Sequence, residues 1–337
     1  MRILIAGGAG YIGSVLTPKL VARGYEVDVV DLLWFGNHLP HGVRVIQKDV
    51  LELSQDELRG YDQVIFLAGL SNDPMADYSP SKNFVYNAAC PAYLAYGAKR
   101  AGVRRFIYAS SCSVYGYTEN ELFDENSPAV SMYPYGISKL QGEFAAMQLR
   151  GDNFSVIALR KGTVSGYSPR MRFDLVVNTM FKTALASKTI VVNNPAIWRP
   201  ILSMQDAANC YVRAVEASLG ISGVFNIASG NYTLGELADE VRDALEEFVG
   251  VTPQIVIKHL SDIRNYKVSF ERAETVLGFK PAHNIRDIVH ELVDNVSRIQ
   301  NWEDPRYYNI ETFKAMMAQQ KASLPSSPAR PVLTTPR

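Results

Sequence analysis

Three observations predict an α/β fold with a doubly wound parallel sheet. Short apolar runs alternate with longer amphipathic stretches through the first half of the 337-residue chain. The runs lack polar alternation, as strands covered on both faces do. The first run passes directly into a glycine-rich turn that opens a helical stretch.

In chain order, strands are predicted over residues 3–6, 27–30, 43–47, 64–67, 106–109 and 156–159. These runs are rich in Val, Ile and Phe, which suit a pleated, buried surface. Helices are predicted over 11–23, 81–101 and 135–150, with Pro18 a potential kink in the first. Strands alternating with helices imply right-handed βαβ units. From about residue 168 the pattern loosens, with helices expected over 172–187, 205–219, 234–249 and 285–300. Residues 224–227 read as another buried strand, able to return to the first sheet. The expected division is therefore interleaved. Residues 1–167, with a returning segment at about 200–229, form a Rossmann-type domain; 168–199 and 230–320 form a smaller C-terminal substrate domain. The proline-rich tail 323–337 reads as flexible.

Composition removes several classes of function. Lys and Arg number 34, as do Asp and Glu, so the net charge is zero. Neutrality argues against bulk nucleic-acid binding, which sets many cations against phosphates. No apolar run approaches the roughly 20 residues of a membrane span, and the N-terminal segment reads as a strand, not a signal peptide. Cys90, Cys112 and Cys210 are too scattered for a disulfide framework or a zinc site. A reducing cytoplasm and no bound metal are expected.

The turn reads Gly7-Gly8-Ala9-Gly10-Tyr11-Ile12-Gly13. Gly7 suits a tight turn, Gly10 leaves room for a pyrophosphate, and Gly13 permits close packing of the helix. The helix N-terminus beyond it offers unpaired N–H groups to phosphate. Asp31, at the end of the second strand, suits the ribose hydroxyls of NAD and disfavours the 2′-phosphate of NADP. Asp49-Val50 and Leu67-Ala68-Gly69 end the third and fourth strands, where backbone and small residues lie close to such a cofactor.

Tyr135 and Lys139 are four residues apart on a predicted helix and share one face. A nearby cation favours phenolate, so the pair is a candidate acid/base device for a sugar or alcohol hydroxyl. The same spacing is common on solvated helix faces. Ser111, in Ser110-Ser111-Cys112-Ser113-Val114-Tyr115-Gly116, follows a buried strand and offers either a substrate hydrogen bond or a simple turn.

Taken together, these motifs resemble the extended short-chain dehydrogenase/reductases, specifically the NAD-dependent epimerase/dehydratase group acting on nucleotide sugars. The resemblance runs from residue 1 to about 301 and includes YGISK at 135–139, WRPILSMQDAA at 198–208 and DIRNYKVS at 262–269. It implies that Ser111, Tyr135 and Lys139 are catalytic and that Asn87 lies near the cofactor ribose. Arg199 and Arg264 are implied to grip the substrate diphosphate. Ser71, Ser113, Thr163, Arg172 and Asn178 are further substrate-site candidates, and Cys112 a minority one, since a small packed cysteine is the commoner reading. Dehydratases of this group carry Asp-Glu where this chain has Cys112-Ser113. The resemblance therefore implies an NAD-recycling epimerase, most plausibly at C4. The alternatives are a keto-sugar nucleotide reductase, a dehydratase, or a non-catalytic dinucleotide-binding protein. A homodimer packed through helices 81–101 and 135–150 is implied as well.

Overall fold

The computed structural model describes residues 1–259 and 264–323. The elements run β1 (Arg2–Ala6), α1 (Gly13–Val21), β2 (Glu26–Asp31), β3 (Arg44–Gln47) and β4 (Gln63–Phe66). Then come α2 (Asp73–Tyr78), α3 (Pro80–Phe84), α4 (Cys90–Arg100), β5 (Arg105–Ser111), β6 (Tyr117–Phe123), α5 (Pro134–Met147), β7 (Ser155–Lys161) and β8 (Thr163–Ser165). The remainder is α6 (Val176–Ser187), β9 (Thr189–Asn193), β10 (Trp198–Ser203), α7 (Met204–Glu216), β11 (Gly223–Ile227), β12 (Gly230–Thr233), α8 (Leu234–Val249), β13 (Gln254–Lys258), β14 (Asn265–Val268), α9 (Glu271–Leu277), α10 (Ile285–Asp294) and α11 (Asn309–Ser323).

Seven strands form one parallel sheet in the order β11-β7-β5-β4-β1-β2-β3. The strand order reverses between β1 and β4, which opens a crevice at their C-terminal ends. Alternate residues feed two cores. Ile3 and Ile5 meet Leu16 and Leu20 of α1 and Tyr211 of α7. Leu4 and Ala6 join Leu94 of α4 and Ala146 of α5. Both faces of the central strands are covered, so their middles are largely apolar and readable as short runs, while the edge strand β3 is partly exposed.

The helix expected over 81–101 is broken, and Pro91 explains the break. Proline has no N–H to give the carbonyl four residues earlier. The backbone widens into a π turn over Val85–Ala89 before α4 begins. The freed Asn87 carbonyl accepts instead from the Tyr108 hydroxyl at 2.9 Å. Pro18, by contrast, lies within α1, and the helix continues past it.

The second lobe has its own core between α6, α8 and α10, with Phe181, Leu237 and Leu292 at its centre. Its sheets are short: β12-β10-β8 and the pair β13-β9. A further pair, β14-β6, brings residues 265–268 beside the 117–123 segment. After β10 the chain returns, through α7 and β11, to the edge of the large sheet. The tail assigned to 323–337 lies outside the described residues except for Ser323, which ends α11. Residues 262–263 of the DIRNYKVS motif are outside them too.

Candidate active site

The glycine turn is held by sterics. Gly7 has φ +79°, and a Cβ there would stand 2.5 Å from the Ala68 nitrogen. A Cβ on Gly10 would meet only the Gly7 carbonyl, at 3.2 Å. That side of the turn is open to two adjoining cavities. Tyr11 ties the turn to the second lobe: its hydroxyl donates to the Gly166 carbonyl at 2.6 Å. Ile12 and Gly13 carry the wall on into α1.

The first cavity is lined by Asp31, Trp34, Phe35, Asp49, Val50, Leu67, Ala68 and Gly69. Asp31 accepts from the amides of Ala9 at 3.0 Å and Leu33 at 2.8 Å. Burial raises its carboxyl pKa, and these amides pull it partly back. Lys48 also lines this cavity, yet its ammonium is engaged by Glu57 at 3.0 Å. Asp49 caps the short helix that follows it, accepting from the Leu51 amide at 2.9 Å.

The second cavity is a cleft of about 490 Å³ between the lobes. Ser111, Tyr135 and Lys139 line it together with Gly7 and Gly10. Ser111 ends β5 and accepts from the Ser113 amide at 3.2 Å, so it makes the expected turn while still facing the cleft. Lys139 is 4% exposed, and its Nζ donates to the Ala109 carbonyl at 3.1 Å. The ammonium lies 5.9 Å from the centre of the Tyr135 ring.

The electrostatics differ from the expectation that Lys139 lowers the phenol's pKa. Burial dominates both groups. It pushes the Tyr135 phenol well above its usual range, opposed chiefly by a hydrogen bond from Ser111. It pushes Lys139 down to about 7, helped by the charge of Lys161. Lys161 is a cleft residue that the sequence reading missed. It ends β7 opposite Ser111, donates to the Ser110 carbonyl at 3.1 Å, and is itself pushed down to about 8 by burial.

The helix carrying Tyr135 and Lys139 is fixed by an ion pair that was also missed. Glu143 of α5 meets Arg160 of β7 through two bonds, 2.6 and 3.0 Å, and accepts from Ser110 at 2.6 Å. Both residues are buried, one turn below Lys139.

Thr163, Ser71, Arg172, Arg199 and Arg264 line the cleft. Arg172 forks onto Asp174 at 2.8 and 2.9 Å. Arg264 meets Asp73 at 2.7 Å, and its guanidinium lies over the Tyr133 ring. Arg199 donates to the main-chain carbonyls of Trp198 and Arg264. Ser113 lines the cleft too, its hydroxyl 3.4 Å from that of Tyr266.

Three expected ligand contacts fall behind the walls. Cys112 is 1% exposed, and its thiol donates to the Arg160 carbonyl at 3.0 Å. Burial pushes that thiol up to about 12, so it is a packed group away from the cleft. Asn87 is buried, and its amide donates to the Leu70 carbonyl at 2.9 Å, so it shapes the 69–70 loop. Asn178 is also buried, donating to the Tyr11 hydroxyl at 2.9 Å and to the Arg172 carbonyl at 2.8 Å. Their NH2 groups are taken by backbone carbonyls, neighbouring hydroxyls and, for Asn87, the Asn83 side-chain oxygen. Among the described residues no cluster of His, Cys, Asp or Glu could hold a metal ion, and no helix is long and apolar enough to cross a membrane.

The family model of the NAD dependent epimerase/dehydratase family matches residues 3–228, more than half of the chain. The chain belongs to that family. Among curated proteins it is 24% identical to a UDP-glucose 4-epimerase from Corynebacterium glutamicum, over 86% of this chain and 94% of that one. It is 28% identical to UDP-glucuronic acid decarboxylase 1 from Arabidopsis thaliana, over 90% of this chain and 72% of that one. A solved structure of MoeE5 in complex with UDP-glucuronic acid and NAD matches with a TM-score of 0.78 at 26% identity. It covers 89% of this chain and 100% of that one.

NAD, the family cofactor, suits the residues present. The open face at Gly10, the Asp31 carboxylate, and the two adjoining cavities form one continuous groove from Asp31 to Tyr135. That groove runs along the C-terminal edge of the parallel sheet.

Proposed function

We propose that the protein is an NAD-dependent nucleotide-sugar epimerase acting at C4 through a transient keto-sugar. The observation that carries this reading is the chemistry around Ser111. Where dehydratases of the family have an Asp-Glu pair, this chain has an inward-packed thiol and a hydroxyl. The carboxylates of the cleft, Asp73 and Asp174, each face an arginine. Among the described residues no other carboxylic acid lines the cleft beside Ser111 to drive loss of water.

Tyr135 takes the proton of the sugar 4-hydroxyl and later returns it. Ser111 donates to the same oxygen and holds it beside the phenol. Lys139 holds the nicotinamide ribose. NAD supplies a reversible hydride acceptor and a positive ring that favours the phenolate. Arg199 and Arg264 grip the nucleotide diphosphate, with the guanidinium forks suited to phosphate oxygens. Between oxidation and reduction the sugar turns in the cleft, and the diphosphate grip lets it turn without leaving. Relatives named UDP-glucose 4-epimerase support a UDP-sugar as the substrate.

The protein is further read as a homodimer. Tyr93 and Tyr96 of α4 and Ile137 and Phe144 of α5 are exposed, apolar and carried on helices that pack together. A reducing compartment such as the cytoplasm suits its three free, buried cysteines.

The test is a panel of nucleotide sugars followed by NMR. An epimer should form without net NADH. A 4-keto-6-deoxy product, release of carbon dioxide, or stoichiometric consumption of added NAD(P)H would replace the assignment with dehydratase, decarboxylase or reductase respectively.

A further inference from the structure

Ser71, Asn72 and Asp73 are consecutive residues of the segment after β4, and each reaches a different distant partner. Asn309 donates to the Ser71 hydroxyl at 2.5 Å, Asn72 donates to Asp174 at 3.0 Å, and Arg264 donates to Asp73 at 2.7 Å. All six residues line the cleft. The first two ties fasten the segment. The third engages a guanidinium that the proposed reaction needs for the nucleotide diphosphate.

The two arginine–carboxylate pairs of the cleft differ in kind. Arg172 and Asp174 share two bonds, and their side chains are 7% and 13% exposed, so that pair is a fixture. Among the described residues Arg264 meets Asp73 through one N–H, and its side chain is 37% exposed. A partly solvated pair with a single contact holds weakly. The Arg264 guanidinium also lies 5.6 Å from the centre of the Tyr133 ring, a face over which it can turn while keeping that contact. Arg199 donates to the Arg264 main-chain carbonyl, which holds the backbone while the side chain turns. Were a diphosphate to take Arg264 while Asp73 stayed, like charges would stand on one guanidinium in a cleft poor in water. A diphosphate carries more charge than a carboxylate and offers oxygens that match the planar fork, so it displaces Asp73.

We infer that Asp73 is a specificity-determining residue: it holds Arg264 until a nucleotide arrives, and only a ligand with the charge of a diphosphate takes the guanidinium from it. Smaller anions are turned away by the carboxylate, a repulsive element set against the wrong ligand. This rests on the reading that Arg264 grips the nucleotide diphosphate. It goes beyond that reading by naming the group that competes for the grip.

The test is calorimetric titration of the full-length protein with UDP, dTDP and GDP, and with uridine as the uncharged control. Asp73→Asn should tighten diphosphate binding by about tenfold or more, the worth of a charge-assisted bond no longer broken, and leave uridine unchanged. Inorganic phosphate should compete with UDP in the variant and not in the wild type. Asp73→Ser repeats the measurement if the Asn variant does not fold by circular dichroism. Weaker UDP binding in the folded variant would make Asp73 a support that positions Arg264. Unchanged UDP binding with weaker UDP-glucose binding would make it a sugar ligand. Either result, unchanged binding of both, or phosphate competing equally in wild type and variant, would overturn the inference and leave epimerisation standing. No binding of any nucleoside diphosphate to wild type or variant would overturn the diphosphate grip itself, and the inference with it.

Discussion

Lys139 and Lys161 donate to successive carbonyls of β5, those of Ala109 and Ser110. A buried and a half-buried ammonium group are thus fastened at the end of one strand, next to Ser111. Burial loosens the hold of each on its proton, and the charge of Lys161 loosens that of Lys139 further.

A pH signature follows from that pairing. Lys139 is lowered from 10.5 to about 7 and Lys161 to about 8. In this range the unfolded chain binds more protons than the folded one, so stability rises with pH. The cofactor-free protein should melt a few degrees higher at pH 9 than at pH 7. Lys161→Met should remove part of that rise. It should also lift the Lys139 pKa, moving the alkaline limb of kcat upward by an amount a pH profile can resolve. A melting temperature that falls between those pH values would contradict the burial of both charges.

The Glu143–Arg160 pair sets the position of α5. Both side chains are at most 5% exposed. Glu143→Gln leaves Arg160 charged and unpaired in the interior, which costs about 3–5 kcal/mol. Urea unfolding measures this. A loss below about 1 kcal/mol, typical of a solvated pair, would show that the interaction is open to water.

Cys112 separates two chemistries. Its thiol is packed against the Arg160 carbonyl, so Cys112→Ala should leave kcat within about twofold while lowering stability by about 1 kcal/mol, as for a small core truncation. A thousandfold fall in kcat with intact folding would make the thiol an acid/base group.

Asp31 performs two tasks, accepting backbone amides and facing the ribose site. Asp31→Asn should weaken NAD by about tenfold to a hundredfold, as expected for losing charged hydrogen bonds. NADP should not bind in its place, because Lys48 remains with Glu57. Titration calorimetry with both dinucleotides distinguishes the cases; tight NADP binding would show that charge at Asp31 alone sets the preference.

The parts of the site that could be read from sequence share a physical trait. The central strands of the large sheet are buried on both faces, so their middles read as apolar runs. The glycine turn announces itself because only glycine tolerates the Gly7 conformation and the contact with Ala68. Tyr135 and Lys139 are neighbours on one helix. What stayed hidden depends on direction or on distant chain. Asn87 and Asn178 stand on the expected helices, but their amides turn toward backbone, which a sequence position does not reveal. Arg170 reaches the Phe35 ring from 157 residues beyond Gly13 only because the second lobe folds back. The short strands β9 and β13 form a partly solvated pair whose runs of three apolar residues are too short to stand out, and β12 and β14 carry polar residues among their apolar ones.

The most direct measurement follows deuterium. A nucleotide sugar labelled at C4 should be interconverted by the wild type with the label kept on that carbon, since one resident cofactor removes and returns it; Tyr135→Phe should stop the conversion while retaining its NAD. Label washed into solvent, carried off on free NADH, or moved to another carbon would contradict C4 epimerisation by a recycled cofactor.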